Sequence, residues 1–366
     1  MRIGFFTETY HPQTNGVVTT IDMTGSRLVE RGNRVDVFAP RSDRREHLGM
    51  HIHSCPAITF RPYPDYKVAL PMRMRVPKLD VVHTHGPFSM GMYGLRVAKK
   101  QDIPSVTTYH TLLSEYTQYI SKHGKKFTSR AARKYCEYHY RKYDSIIALS
   151  NAIKNTLPAD LQEKCELIPT GIDTDALKPV ANARKKLNLD YDRVYLYLGR
   201  LGFEKKIDVV IKAADKFVGE NEVLLIAGKG PASEKLKKLV RELDAGEKVR
   251  FVGYVPEEKK PLYYSAADAF ITASDTETLG LVVAEAMACG TPVVGADGMA
   301  IPENVRVGKD GFLFKPNDYR GLAKLMKTNE FTPEMRKNAR KHALELSIEK
   351  TVDKYEELYE RLINRK

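Results

Sequence analysis

Short apolar runs recur along the chain, separated by longer stretches in which apolar residues return at helical spacing. Ile3–Phe6, Val35–Ala39, Val81–His83, Ser105–Thr108 and Ile146–Leu149 form a first series. Val194–Leu198, Val223–Ala227, Val249–Val252, Ala269–Thr272, Thr291–Val294 and Phe312–Phe314 form a second. Brief runs of this kind read as buried strands, and their alternation with helical patterns implies parallel sheets with helices on both faces. Two series imply an α/β chain of two doubly wound, Rossmann-like domains. Pro169, Gly171 and Lys178-Pro179 punctuate the junction, which sets a first domain at 1–174 and a second at 175–345. In the last segment, about 346–366, Tyr355, Leu358 and Leu362 fall at helical spacing. That helix is expected to pack back on the first domain.

Length agrees with two domains, since the chain has 366 residues and a domain takes about 150. No apolar run approaches the roughly 20 residues that span a bilayer. The start of the chain reads as a first strand rather than a signal peptide. A cytoplasmic protein is expected. Cys55, Cys136, Cys165 and Cys289 are scattered, which argues against a zinc site or a disulfide framework and for free thiols.

Charge adds a partner question. The formal net charge is +13, with 26 Lys/Arg against 17 Asp/Glu up to residue 180 and 33 against 29 beyond it. Lys122–Lys142 holds eight basic residues and a single acid, Glu137. Such an excess attracts an anionic membrane or a nucleic acid. No RNA-binding motif, helix-turn-helix or zinc spacing supports a nucleic acid.

The candidate chemistry lies at strand ends, where open α/β sheets bind ligands, and a cleft between two such domains is the expected site. Asp275-Thr-Glu-Thr-Leu-Gly-Leu-Val-Val-Ala-Glu-Ala-Met-Ala-Cys-Gly290 leaves one strand, and Thr-Pro-Val-Val294 enters the next. The pattern predicts a helix from near Leu279 to Gly290. Gly280 lets a ligand approach the backbone, and first-turn amides offer an anion or hydroxyl site. Glu277 at its mouth and Glu285 along it can accept hydrogen bonds from sugar hydroxyls. After another strand, Gly199-Arg200 and Glu204-Lys205 place two cations where a diphosphate leaving group could be neutralised.

These two patterns, with Ala286-Met-Ala-Cys-Gly-Thr-Pro-Val-Val294, resemble glycosyltransferase family 4, of the GT-B fold, over nearly the whole chain. The resemblance implies a retaining hexosyltransferase that uses a UDP- or GDP-hexose and needs neither metal nor cofactor. It assigns Glu277 to the transferred sugar, Glu285 to the donor ribose and the amides of Thr278, Leu279, Gly280 and Leu281 to sugar and diphosphate. Arg200 and Lys205 would serve the leaving group. Gly253, Tyr254 and Val255 would hold the base, Gly16 would lie near the diphosphate, and His110 would stand beside the reacting centre. The strand-end segments carry no Asp-x-Asp motif. Lys206 departs from the family, which commonly has glycine there. Same-face substitution, with the departing diphosphate taking the acceptor proton, fits this set.

The stretch Thr108–Tyr116 and the basic segment after it resemble the diacylglycerol glucosyltransferase and phosphatidylinositol mannosyltransferase branch. A lipid acceptor follows, with Lys122, Lys125, Lys126, Arg130, Arg133 and Lys134 facing the inner surface of the cell membrane. A soluble sugar acceptor and a non-catalytic nucleotide-sugar binder are the alternatives. His83 and His85 share a strand face, but no third residue at a fitting spacing makes them metal ligands.

Overall fold

The computed structural model describes residues 1–365 apart from 14, 43, 60–66, 72–73 and 111–124, and omits the side chains of 59 and 125–129. Contacts divide the chain into Met1–Gly171 with Ile348–Lys366, and Ile172–Ser347.

In the first unit, β1 (Arg2–Thr7), β2 (Arg34–Pro40), β3 (Glu46–His47), β4 (Met50–Cys55), β7 (Val81–His85), β8 (Ser105–Tyr109), β9 (Ser145–Ala148) and β10 (Cys165–Leu167) form one sheet. Its order is β10-β9-β8-β7-β1-β2-β4-β3. Neighbours are parallel except β3 on β4. A small antiparallel pair, β5 (Ala57–Thr59) and β6 (Lys67–Ala69), stands apart. Alternate residues serve opposite faces. Phe5 and Val37 pack with helix α1 (Gly16–Glu30) and the C-terminal helix Ile348–Ile363, while Phe6, Phe38 and Val82 pack with helix α2 (Ser89–Gln101). Helices therefore cover both faces.

The C-terminal helix buries Val352, Tyr355, Leu358, Tyr359 and Leu362. Arg31, at the end of α1, bonds Glu349, Asp353 and Glu356 at 2.9, 2.5 and 2.9 Å.

The second unit repeats the plan. β11 (Arg193–Leu198), β12 (Glu222–Ala227), β13 (Val249–Gly253), β14 (Ala269–Thr272), β15 (Val293–Ala296) and β16 (Gly311–Phe314) are all parallel, in the order β13-β12-β11-β14-β15-β16. The helices Ile207–Phe217, Ser233–Glu242 and Tyr319–Thr328 share one core with these strands. On the other face Tyr264 meets Phe270 edge to face at 5.7 Å.

Differences from the sequence pattern have local causes. β4 was not anticipated: its buried Met50, Ile52 and Cys55 are interrupted by His51, His53 and Ser54, which leaves no continuous apolar run. The expected strand Thr291–Val294 instead spans Val293–Ala296, because Pro292 has no N–H for the ladder. β7 runs on through two histidines to His85. All four cysteines are free and buried.

One buried charge supports the first unit. Helix α2 receives no side-chain cap from Phe88. Glu8, just beyond β1 and 3% exposed, does that work instead. Its carboxyl accepts from the Met90 and Gly91 amides at 2.6 and 3.3 Å and from Ser89 Oγ at 3.2 Å. Burial outweighs these bonds and pushes the carboxyl up to about 7 from 4.5. A raised folded pKa favours folding below the unfolded value and loses that contribution as pH climbs through the folded one. Glu8 should therefore cost stability between pH 4.5 and 7, by roughly 3 kcal/mol. Urea denaturation of Glu8→Gln at pH 5 and pH 8 tests this: the variant should gain on the native protein at pH 8. An equal pH dependence in both would refute it.

Candidate functional site

Numbered within the second unit, its strands run 3-2-1-4-5-6. The chain thus reverses direction between β11 and β14, and the loops leaving these strands flank the crevice where such sheets bind ligands. The β11 loop carries Arg200 and Lys205, and the β14 loop carries Glu277.

The β11 loop is held from beneath. Tyr197 OH, in the core, donates to the Arg200 carbonyl at 3.0 Å. Gly228 admits the loop closely: a Cβ there would lie 1.9 Å from the Gly199 carbonyl oxygen. A 3-10 turn, Phe203–Lys205, then presents Lys205. Its ammonium donates to Glu277 Oε1 at 2.6 Å, and Lys206 Nζ donates to Asp275 Oδ2 at 2.5 Å. Two ion pairs therefore tie one loop to the other. Arg200 bonds Glu204 Oε1 at 2.5 Å.

Lys206 has φ +50, a left-handed conformation that suits glycine and costs an ordinary residue about 1–2 kcal/mol. That explains why glycine fits this position. The bond to Asp275 offsets part of the strain.

Burial raises the Glu277 carboxyl, but Lys205, with Arg200 behind it, outweighs burial and holds it below the usual range. Glu277 is an anion at neutral pH, able only to accept hydrogen bonds.

After Glu277 the backbone turns at Gly280, whose φ is +81, and the helix spans Leu281–Ala288. It begins two residues later than the sequence pattern suggests, because a left-handed residue cannot continue a helix. No side chain caps it, so its first amides face the loop that holds Thr278 and Leu279. Asn304, 25 residues beyond Leu279, donates to the Leu279 and Ala300 carbonyls at 2.6 and 3.0 Å. Ala300 N–H donates to the Glu277 carbonyl at 3.1 Å.

Glu285 lies further along, 7% exposed. Tyr264 OH donates to it at 2.8 Å, and Lys260 Nζ reaches its two oxygens at 3.3 and 3.4 Å. Burial raises its pKa, with Glu257 adding to the rise, and Lys260 and Tyr264 offset only part of this. The two glutamates thus differ: Glu277 titrates low, Glu285 high. After β13, the Gly253 carbonyl accepts from Gly228 N–H at 2.6 Å. Tyr254 stands 59% exposed and Val255 is buried.

In the first unit the switch falls between β1 and β7. Gly16 opens α1, but Asn15 Oδ1 already accepts from the Val17 and Val18 amides at 3.0 and 3.1 Å. A phosphate at this helix end would have to displace Asn15, a cap the sequence reading overlooked. His110 follows β8. Its Nε2 lies 2.9 Å from His85 Nδ1. His85 stacks on His83 at 4.4 Å. His83 engages Tyr359 OH at 2.6 Å and Thr108 Oγ1 at 2.7 Å, so both its nitrogens are taken. Burial lowers His110 to about 3 and lowers His83 and His85 as well, so all three are neutral at physiological pH.

The basic helix spans Lys125–Tyr140. It buries Cys136, His139 and Tyr140 and exposes Arg130, Arg133, Lys134 and Tyr138. Lys142 sits over the Tyr138 ring at 3.9 Å. Tyr135 donates to the Pro87 carbonyl at 2.7 Å. Lys122 and Thr111–Tyr116 fall outside the described residues, as do the side chains of Lys125 and Lys126. Among the described residues, no helix is long and apolar enough to cross a membrane.

The Glycosyltransferase Family 4 model matches residues 14–176, and the Glycosyl transferases group 1 model matches 180–345. An alpha-monoglucosyldiacylglycerol synthase of Acholeplasma laidlawii is 32% identical over 93% of this chain and 92% of that protein. The chain belongs to glycosyltransferase family 4. The synthase of the same name from Streptococcus pneumoniae is 33% identical over 80% of this chain and 70% of that protein. Sucrose-phosphate synthase of Thermosynechococcus elongatus superposes with a TM-score of 0.82 at 22% identity, covering all of both chains. Anabaena HepE in complex with UDP gives 0.80 at 18%, over 99% of this chain and 100% of that one. The fold is GT-B and the protein is a hexosyltransferase.

Two Asp-x-Asp pairs do occur. Asp190 and Asp192 precede β11, at the wrong end of the strand, and Asp173 Oδ1 accepts from the Asp175 and Ala176 amides in a turn. Asn304, which supports the Glu277–Gly280 loop, gave no sequence signal. Removing its side chain in Asn304→Ala leaves two carbonyls short of a donor and should cost about 1–3 kcal/mol. Catalytic efficiency should fall with it as the Glu277–Gly280 loop loosens. Thermal denaturation and donor kinetics would check this, and unchanged values in both would remove Asn304 from the site's support.

Proposed function

We propose that this chain moves a hexose, with retention, from a nucleotide sugar such as UDP-glucose to a lipid acceptor at an anionic membrane surface, without a metal in the transfer step. The observation that carries the reading is the Lys205–Glu277 pair, 2.6 Å apart at the switch point of the second unit. It sets a cation for a leaving diphosphate beside an anion for sugar hydroxyls. In this reading Ile172–Ser347 is the donor unit, and Met1–Gly171 with the C-terminal helix is the acceptor unit.

On donor binding the diphosphate competes with Glu277 and Glu204 for Lys205 and Arg200. The amides of the Thr278–Leu281 turn hold sugar and phosphate oxygens, and Glu285 takes the ribose. Gly253, Tyr254 and Val255 take the base. As the glycosidic bond breaks, negative charge grows on the diphosphate. Lys205, Arg200 and the helix amides stabilise it more than they stabilise the ground state. The diphosphate takes the acceptor's proton on the same face, and neutral His110 hydrogen-bonds the sugar. The lipid acceptor is supported by similarity to the two alpha-monoglucosyldiacylglycerol synthases and by the exposed Arg130, Arg133, Lys134 and Tyr138, a face suited to head groups.

Glu277→Gln should lower kcat/KM by at least about a thousandfold. The Lys205 left without its anion costs only about 1–3 kcal/mol of stability, between the surface and buried limits for ion pairs. Transfer of radiolabelled sugar from a donor panel to extracted lipid, with soluble acceptors in parallel, tests the acceptor. Label confined to soluble products would defeat the lipid reading and leave the transferase reading standing. Reversing Arg130, Arg133 and Lys134 to Glu should abolish sedimentation with anionic vesicles while preserving hydrolysis of the donor. Undiminished vesicle binding would remove this face from docking.

Lys260→Met should raise the Glu285 pKa further, because it removes the cation while the buried site persists. The acid limb of kcat/KM for the donor should then move to higher pH. An unmoved limb would mean that Glu285 does not need its charge.

A further inference from the structure

A second cluster of titratable side chains lies in the first unit and has no part in the transfer scheme. His11 follows β1, Asp22 lies on α1, and His47 is on the edge strand β3. Both imidazoles aim Nε2 at one carboxylate oxygen, Asp22 Oδ2, at 2.6 Å from His11 and 3.5 Å from His47. One proton between a nitrogen and that oxygen satisfies a single contact, and 3.5 Å is too long for a good second hydrogen bond. The rings meet edge to face, with centroids 4.5 Å apart. One ligand atom from each residue lies within 4.8 Å of the others.

From this convergence we infer that His11, Asp22 and His47 form a binding site for a divalent cation of the zinc class. Two imidazoles and a carboxylate are a set that zinc-type ions favour over magnesium or calcium, which prefer all-oxygen shells. The remaining contacts of Asp22 fit the role. Its other oxygen, Oδ1, accepts from the hydroxyl of buried Tyr10 at 2.9 Å, the outer-shell bond that orients a ligating carboxylate. The three side chains are 16–19% exposed, open to an entering ion yet shielded from competing bulk water.

Tetrahedral bond lengths of about 2.0–2.2 Å place ligand atoms roughly 3.3 Å apart. The His11–Asp22 contact would therefore open slightly and the His47 contact would hardly change. Three protein ligands leave a fourth position to water.

One neighbour opposes loading. Arg44 Nη1 lies 2.7 Å from His47 Nδ1. Arginine can only donate, so this bond places the imidazole proton on Nε2, the atom the metal needs. Arg44 is exposed and can swing out, after which the imidazole proton can move to Nδ1 and leave the inward-facing Nε2 lone pair free for the ion. Loading would clasp the loop after β1, helix α1 and the β3 edge to one another.

The full-length, untagged chain, stripped with chelator, should be titrated with ZnCl2 by calorimetry and followed by thermal denaturation. The expected result is about one equivalent bound per chain with a rise in Tm. His11→Ala and His47→Ala should each weaken binding at least about tenfold and abolish the Tm shift. Arg44→Ala should bind more tightly than the native chain, and His51→Ala, a nearby exposed histidine, should bind like it. Substitution with Co2+ supplies a spectroscopic reading. Bands without a thiolate charge-transfer transition fit the site, whereas a thiolate band would place the ion on cysteine and overturn it. Absence of stoichiometric binding, or binding unaltered in both His11→Ala and His47→Ala, would likewise overturn it.

Discussion

Parallel strands cannot be joined by tight turns. Each must return across a face of the sheet before the next can pair, so every strand releases its loop at the same edge. Most of the chemistry in this protein follows from that restriction. In the second unit it brings the loops after β11 and β14 beside one another, although Lys205 and Glu277 are 72 residues apart in sequence. In the first unit it brings Glu8, His85 and His110 to the matching edge. The helices that complete the crossovers supply the caps and amides at which anions can be held.

The edge concentrates charge, and the cations assigned to the site are each held by a partner. Lys205 and Lys206 are spent on Glu277 and Asp275, Arg200 on Glu204, and Lys260 on Glu285. Pairs of this kind contribute little net stability when part-buried, because desolvation offsets attraction. What they provide is a fixed geometry at low reorganisation cost, which is what stabilising a developing diphosphate requires. The contrast between a low-titrating Glu277 and a high-titrating Glu285 arises from the same logic. One glutamate has its cation in direct contact at 2.6 Å, whereas the other is more deeply placed and has its cation beyond 3 Å.

Much of this was legible in the sequence because it depends on runs and spacings. Uninterrupted apolar runs mark central strands, and Gly280, Glu277 and Glu285 sit at fixed offsets from one. The strand β4, next to the edge strand β3, was not legible, since one dressed face and a histidine-rich other face leave no run to find. Asn15 has the residue type of a helix cap, but Gly16 beside it reads equally well as an open phosphate site, and only the folded loop shows that the side chain occupies the amides. Asn304 was beyond reach. Its contact with Leu279 depends on where a short helix lands after another strand, and no local pattern encodes that. Lys206 was legible as a departure but not as a strained residue, because φ is a property of the folded loop.

The first unit is not contiguous in the chain. Its sheet is complete by Leu167, yet Tyr355, Tyr359 and the acids that engage Arg31 belong to the final residues. During synthesis the ribosome releases Ile172–Ser347 in full before the helix that closes the first unit has left the exit tunnel. The later unit can therefore reach its native state first, while the earlier one waits with the apolar face of α1 and its sheet uncovered. An order of maturation opposite to the order of translation is thus written into the topology, because the helix that closes the earlier unit follows the later unit in the chain.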